Sequence, residues 1–154
     1  MSVVDDDEVC RLTFSPRDYG GGMGRLDLSE TFIFREDALY KESVYCRRLV
    51  TPFPTILHTW GLAKAKNDTD KKKIPVTYRG TALAIVLGVR AINQNGHHFT
   101  VTLQAEEGNE AHCDLELKFP IASKKPNKAE KRLVLVQLSE TFKNMAPETH
   151  TGNA

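Results

Sequence analysis

Alternation with a period of two restricts this chain more than any other feature. Cys113, Leu115, Leu117 and Phe119 alternate with Asp114, Glu116 and Lys118, so in extended backbone the apolar side chains point one way and the charged ones the other. A sheet with one face on a core and one face in water satisfies that pattern. The same period places Cys10, Leu12 and Phe14 on one side of Val9 to Phe14, and it recurs in Phe99, Val101 and Leu103. Val44 to Val50 is similarly β-prone, and Leu133 to Leu138 predicts a last, more apolar strand.

Turn chemistry joins neighbouring strands. Asn93-Gln94-Asn95-Gly96 lies between two apolar runs, and Asn-Gly favours a tight hairpin because both residues tolerate positive φ. A second hairpin is expected through Glu106-Glu107-Gly108-Asn109, giving an antiparallel meander from about Thr81 to Phe119. Thr81 to Leu87 is apolar on both faces; its β-branched residues favour a central buried strand over a helical turn. One segment breaks the period: Phe53, Leu57 and Trp60, with Ile56 and Ala63, recur at three and four, with prolines at 52 and 54 near its start. That spacing is one apolar stripe of a short helix packed on the sheet. Gly61 costs such a helix up to ~1 kcal/mol relative to Ala.

The expected fold class is therefore mainly β (α+β), an antiparallel sheet or sandwich meander with one short packed helix. A chain of 154 residues suits one domain. Residues 1–8 read as an acidic tail, 9–142 as a single β-rich domain and 143–154 as a polar tail. The acidic start resembles neither a secretory leader nor a basic targeting sequence, and no apolar run reaches the ~20 residues of a bilayer span. Cys10, Cys46 and Cys113 lie far apart and are odd in number, which favours reduced thiols in a cytosolic setting over a disulfide framework.

Few side chains invite chemistry. His97, His98, His112 and Cys113 are the residues whose types suit zinc, but the closely spaced pairs of a structural zinc site are missing. No metal and no cofactor are expected. A Cys-His nucleophile needs an activated thiolate and oxyanion donors. Arg47 and Arg48 follow Cys46 and could lower its pKa, yet that stretch alternates as a strand does. Gly20 to Gly24 has no strand before it and no P-loop lysine. The reading is of a protein that is not an enzyme.

Basic patches carry the functional promise. Total charge nearly cancels, 21 Lys and Arg against 20 Asp and Glu, so any electrostatic function must be local. Lys64, Lys66, Lys71, Lys72, Lys73 and Arg79 crowd one linker, and Lys124, Lys125, Lys128, Lys131 and Arg132 crowd the loop before the last predicted strand. Such loops attract RNA phosphates or anionic headgroups. Aromatics are not interleaved with them, so base stacking on single strands is not indicated.

The order of several pieces is similar to that of rhabdovirus matrix proteins. They are Pro52-Phe53, then His58-Thr59-Trp60, a basic linker into Pro75 and Tyr78-Arg79, an apolar run ending at Leu87-Gly88, and Ala111-His112-Cys113-Asp114 opening a strand that ends at Pro120. The resemblance spans about residues 30 to 120. It implies a virion structural protein that self-associates and bridges ribonucleoprotein or RNA and the inner, anionic membrane face as a peripheral protein. The implied location is the virion and the host cytoplasm or inner membrane face, without secretion. Phe53, Leu57 and Trp60 would brace the core or a neighbouring copy. This chain departs from vesiculovirus-type matrix proteins in its acidic start and in lacking their Lys-rich amino terminus and proline-tyrosine motif. The competing expectation is a small cytosolic β-sandwich adaptor or viral accessory factor that binds a host protein, with no assembly role.

Overall fold

The structure, a computed structural model, describes residues 2–20, 25–28 and 31–145. In chain order the elements are β1 (Glu8–Ser15), β2 (Tyr19–Gly20), β3 (Arg25–Leu26), β4 (Lys41–Cys46), α1 (Thr55–Lys72), β5 (Thr77–Ile85), α2 (Val86–Arg90), β6 (Asn93–Gln94), β7 (His97–Leu103), β8 (His112–Lys118), α3 (Lys128–Thr141) and β9 (Lys143–Met145). Seven strands form one antiparallel sheet in the order β6-β7-β8-β4-β1-β5-β9, and β2 pairs with β3 as a separate ribbon. The mainly β, α+β class holds, in its single-sheet form and with more helix than the one short segment expected.

β1 sits near the centre because both its faces are apolar. Val9 belongs to one core cluster, with Val44, Ala82, Leu115, Val134 and Leu138. Cys10, Leu12 and Phe14 belong to the other, with Leu57, Ala65 and Tyr78. Adjacent residues of one strand point to opposite faces, so α1 covers one face of the sheet and α3 the other. Leu57, Val134 and Leu138 are fully buried, and each such side chain removed from water contributes roughly 1.5–3 kcal/mol. β8 keeps its one-side-wet character: Cys113, Leu115 and Leu117 are buried while Lys118 is exposed.

The Asn-Gly hairpin forms, with Asn95 and Gly96 both at positive φ between β6 and β7. The second hairpin joins β7 to β8 in the register Val101 with Leu115. The meander stops there. β5 leaves it to pair with β1 and β9 at the other side of the sheet, and α2 covers the gap in sequence between β5 and β6.

Leu133 to Leu138 is helical, within α3, where a strand was expected. Local signals outweigh its β-prone composition: Asn127 caps the helix, its Oδ1 accepting the Glu130 N–H at 3.1 Å, and Lys-Ala-Glu-Lys-Arg ahead of the run are strong helix formers. α1 runs 18 residues and passes well beyond Ala65. Its buried residues are Leu57, Gly61 and Ala65, whereas Ala63 is exposed. The segment after Cys46 is a 3₁₀ turn, Arg47–Leu49, so the strand expected to reach Val50 ends at Cys46.

The acidic amino-terminal stretch is tied into the fold rather than trailing as a tail. Val3 and Asp7 are buried, and Asp5, Asp7 and Glu8 pair with Arg90, Arg48 and Arg47, each at 2.8 Å. At the other end, Lys143–Met145 extends the sheet as β9; the remainder of the expected polar tail, 146–154, lies outside the described residues.

Candidate polyanion-binding surface and adjoining cleft

The cations sort into two populations. Most arginines are internal clamps. Arg11 reaches Glu42 at 3.4 Å and the Ser43 carbonyl, Arg17 reaches Asp18 at 2.8 Å, and Arg47, Arg48 and Arg90 hold the amino-terminal carboxylates. Arg47 and Arg48 thus pair with Glu8 and Asp7, and the lowering they exert on the Cys10 and Cys46 thiols is outweighed by burial. The lysines of the two clusters are mostly left over.

In the first cluster the expected linker is the C-terminal half of α1 and its cap, with Arg79 in β5. Five lysines and two aspartates fall between positions 64 and 73. Lys71 and Lys72 sit at the helix C-terminus, where their charge complements the macrodipole. Lys73 ends the helix in the left-handed region at φ 57°, its N–H donating to the Thr69 carbonyl at 2.9 Å. The Thr69 hydroxyl accepts the Val76 N–H at 2.9 Å and ties the following loop back. Lys64 pairs with Asp68 at 3.3 Å. Lys66, Lys71, Lys72 and Lys73 are exposed and have no carboxylate partner among the described residues. Arg79 is the extra residue of a bulge, since Thr13 faces Gly80 while Phe14 faces Tyr78, and its guanidinium lies 5.5 Å from the Tyr19 ring.

The second cluster surrounds the start of α3. Lys124, Lys125, Lys128 and Arg132 are exposed beside a helix N-terminus, whose partial positive charge adds to theirs. Lys131 leaves this group. Its ammonium donates to the Phe34 carbonyl at 3.1 Å, and burial pushes its pKa down. The loop is anchored at Asn127, whose N–H donates to His97 Nε2 at 3.0 Å.

Phe53, Leu57 and Trp60 belong to the core under α1. Leu57 is fully buried, the Trp60 ring lies 5.5 Å from that of Tyr45, and Phe53 precedes the helix with Arg47 over its ring at 4.4 Å.

Antiparallel pairing of β7 with β8 sends the zinc-suited residues to opposite ends of one hairpin: His98 faces Lys118 and Leu103 faces Cys113. His97 and His98 therefore do not meet His112 and Cys113. No group of three or more His, Cys, Asp and Glu placed to hold a metal ion occurs among the described residues. His112 is committed internally, Nδ1 to the Gln104 carbonyl at 2.9 Å and Nε2 to the Ser43 hydroxyl at 3.0 Å. All three thiols are buried. Burial is the main cause that pushes Cys10 and Cys46 above the ordinary thiol range and Cys113 up to about 12, so none is a thiolate at neutral pH. Gly21 to Gly24 of the glycine-rich segment lie outside the described residues.

A cleft of about 540 Å³ opens beside the last turn of α1, floored by Phe14, Pro16, Ile33, Ile74 and Val76. Sequence pattern does not announce it, because its walls come from the end of β1, the loop at Ile33 and the segment after α1. The nearest signal is an apolar pair, Ile74 and Val76, placed directly after three lysines.

No helix among the described residues is long and apolar enough to cross a membrane. Comparison of the chain with protein-family models, curated proteins and solved structures finds no match.

Proposed function

We propose that this chain is a non-catalytic, matrix-type structural protein that bridges two polyanions, ribonucleoprotein and an anionic membrane face, and associates with copies of itself. One observation carries the reading. α1 and α3 lie on opposite faces of the sheet, and each displays a lysine cluster largely free of internal partners. A protein binding one extended polyanion gains from cations on one continuous surface, whereas cations on two faces suit a bridge. Near-zero total charge supports close packing of copies, since it limits their mutual repulsion. Leu133 and Val136, 47% and 51% exposed on α3, offer apolar area for such an association.

The test is co-sedimentation of labelled RNA with anionic liposomes. The protein should carry RNA into the liposome pellet at low salt. Neutralising either cluster alone should end bridging while leaving binding to one partner. RNA carried down by either single-cluster variant as well as by the parent, or without salt dependence, would overturn the reading.

A further inference from the structure

We infer that the cleft beside α1 binds a single-chain anionic amphiphile, an aliphatic chain ending in a carboxylate. The inference goes beyond the bridging function and shares only Lys72 with it. Its floor is apolar and its volume, about 540 Å³, falls within the roughly 300–1,000 Å³ of ordinary ligand pockets. Two of the floor residues, Ile33 and Ile74, remain 44% and 56% exposed, so an aliphatic guest removes from water a surface that the fold itself leaves wet.

Charge bookkeeping selects the head group. Three ionised side chains line the cleft: Arg17, Asp68 and Lys72. Arg17 is held by the fully buried Asp18 through two bonds, at 2.8 and 3.1 Å. Asp68 is offset by Lys64 at 3.3 Å. Lys72 alone has no partner among the described residues, so the rim presents one uncompensated positive charge above an apolar floor. A guest with a cationic head meets that charge unfavourably, and a neutral one leaves it unused.

Isothermal titration of the full chain with dodecanoate, below its micelle concentration, tests the site. Saturable binding is expected near one molecule per chain, and each methylene removed, down to octanoate, should weaken it by up to roughly fourfold. Dodecyltrimethylammonium should bind far more weakly. Lys72→Gln should weaken dodecanoate about threefold to fivefold, the scale of an exposed ion pair. Ile74→Glu, which sets a carboxylate in the floor, should weaken it at least roughly tenfold. Ile33→Glu supplies the same test if that variant fails to fold. Lys71→Gln/Lys73→Gln should leave dodecanoate binding unchanged while weakening binding to RNA or anionic liposomes, and Ile74→Asn, polar but uncharged, should weaken dodecanoate alone, so the cleft and the bridge fail separately. Absence of saturable binding, equal binding of the cationic amphiphile, or affinity unmoved by both floor variants would overturn the inference.

Discussion

His97 Nε2 accepts the backbone N–H of Asn127 at 3.0 Å, joining the first residue of β7 to the cap of α3. An acceptor nitrogen carries no proton, so Nδ1 holds it and donates to the Gln94 carbonyl at 3.1 Å. The ring is buried and stacks near Phe119, centroids 6.4 Å apart. One imidazole thus fixes the Asn95-Gly96 hairpin and the second lysine cluster relative to each other, which makes the cluster a feature of the folded sheet rather than of a loose loop.

Replacing His97 by Ala should remove the acceptor and leave the Asn127 N–H without its partner. The expected cost is about 0.5–1.5 kcal/mol, the net range for one hydrogen bond, because Asn127 is exposed and water can reach its amide. Denaturant melts would give the magnitude. Hydrogen exchange should locate the effect at the Asn127 amide and the first turn of α3, with β1 unaffected; uniform loss of protection would argue against this link.

Gly61 makes a second prediction. A Cβ there would clash with the ring of Tyr78, 2.7 Å from its Cγ and closer still to Cδ1 and Cε1. Gly61→Ala should therefore destabilise although Ala favours helix by ~1 kcal/mol. Overpacking typically costs ~1–3 kcal/mol, leaving a net loss on the order of 1 kcal/mol by urea melts. Tyr78→Leu in the same chain should recover part of it, a coupling that a double-mutant cycle measures.

These two packing relationships show where sequence reading reaches and where it stops. The Asn-Gly turn and the alternation of Cys113 to Leu117 are local instructions, and both appear in the fold as read. Gly61 looked like a weakness of an isolated helix because its reason, the Tyr78 ring, lies on another element. Leu133 to Leu138 misled for the opposite cause: its composition is β-prone, while the deciding signal, Asn127 with Glu130, stands ahead of the run. The lysine clusters were legible as composition. Which cations are spent internally was not, since the Lys131 bond to Phe34 and the arginine clamps connect residues distant in sequence. The cleft depends wholly on such assembly.

Acid should loosen the amino-terminal clamp. Hydrogen bonding to Arg48 is the main cause that holds the Asp7 carboxyl below its ordinary value of 3.8. A group whose folded pKa is depressed contributes stability above its unfolded pKa and loses it as pH falls through the folded one. Asp7→Asn should thus be less stable than the parent at pH 7, and the gap should narrow as pH drops below about 3.8, where the unfolded chain's carboxyl takes up its proton. Urea melts across pH 2 to 7 measure this (about the working range of carboxylates); a gap constant with pH would show that the pair contributes nothing through ionisation.

The two lysine clusters give the sharpest separation of effects. Lys71, Lys72 and Lys73 are exposed and make no ion pair among the described residues, so changing all three to Gln should lower the melting temperature only modestly, by the loss of two charges at the helix C-terminus worth roughly 0.3–1 kcal/mol each. Binding to anionic liposomes should nevertheless fall by roughly a hundredfold at low salt, given ~1 kcal/mol per lysine near such a surface. If the cluster touches RNA instead, the plot of log affinity against log salt should flatten by ~0.7 for each single-stranded phosphate that the variant no longer neutralises. Lys124→Gln/Lys125→Gln/Lys128→Gln should show the complementary loss, because α3 lies on the opposite face from α1. Adding Lys131→Gln should change binding little but stability measurably, since that ammonium is bonded to the Phe34 carbonyl. A Lys131 variant that binds poorly yet melts normally would place the amine at the surface and contradict the sorting of cations on which the bridge rests.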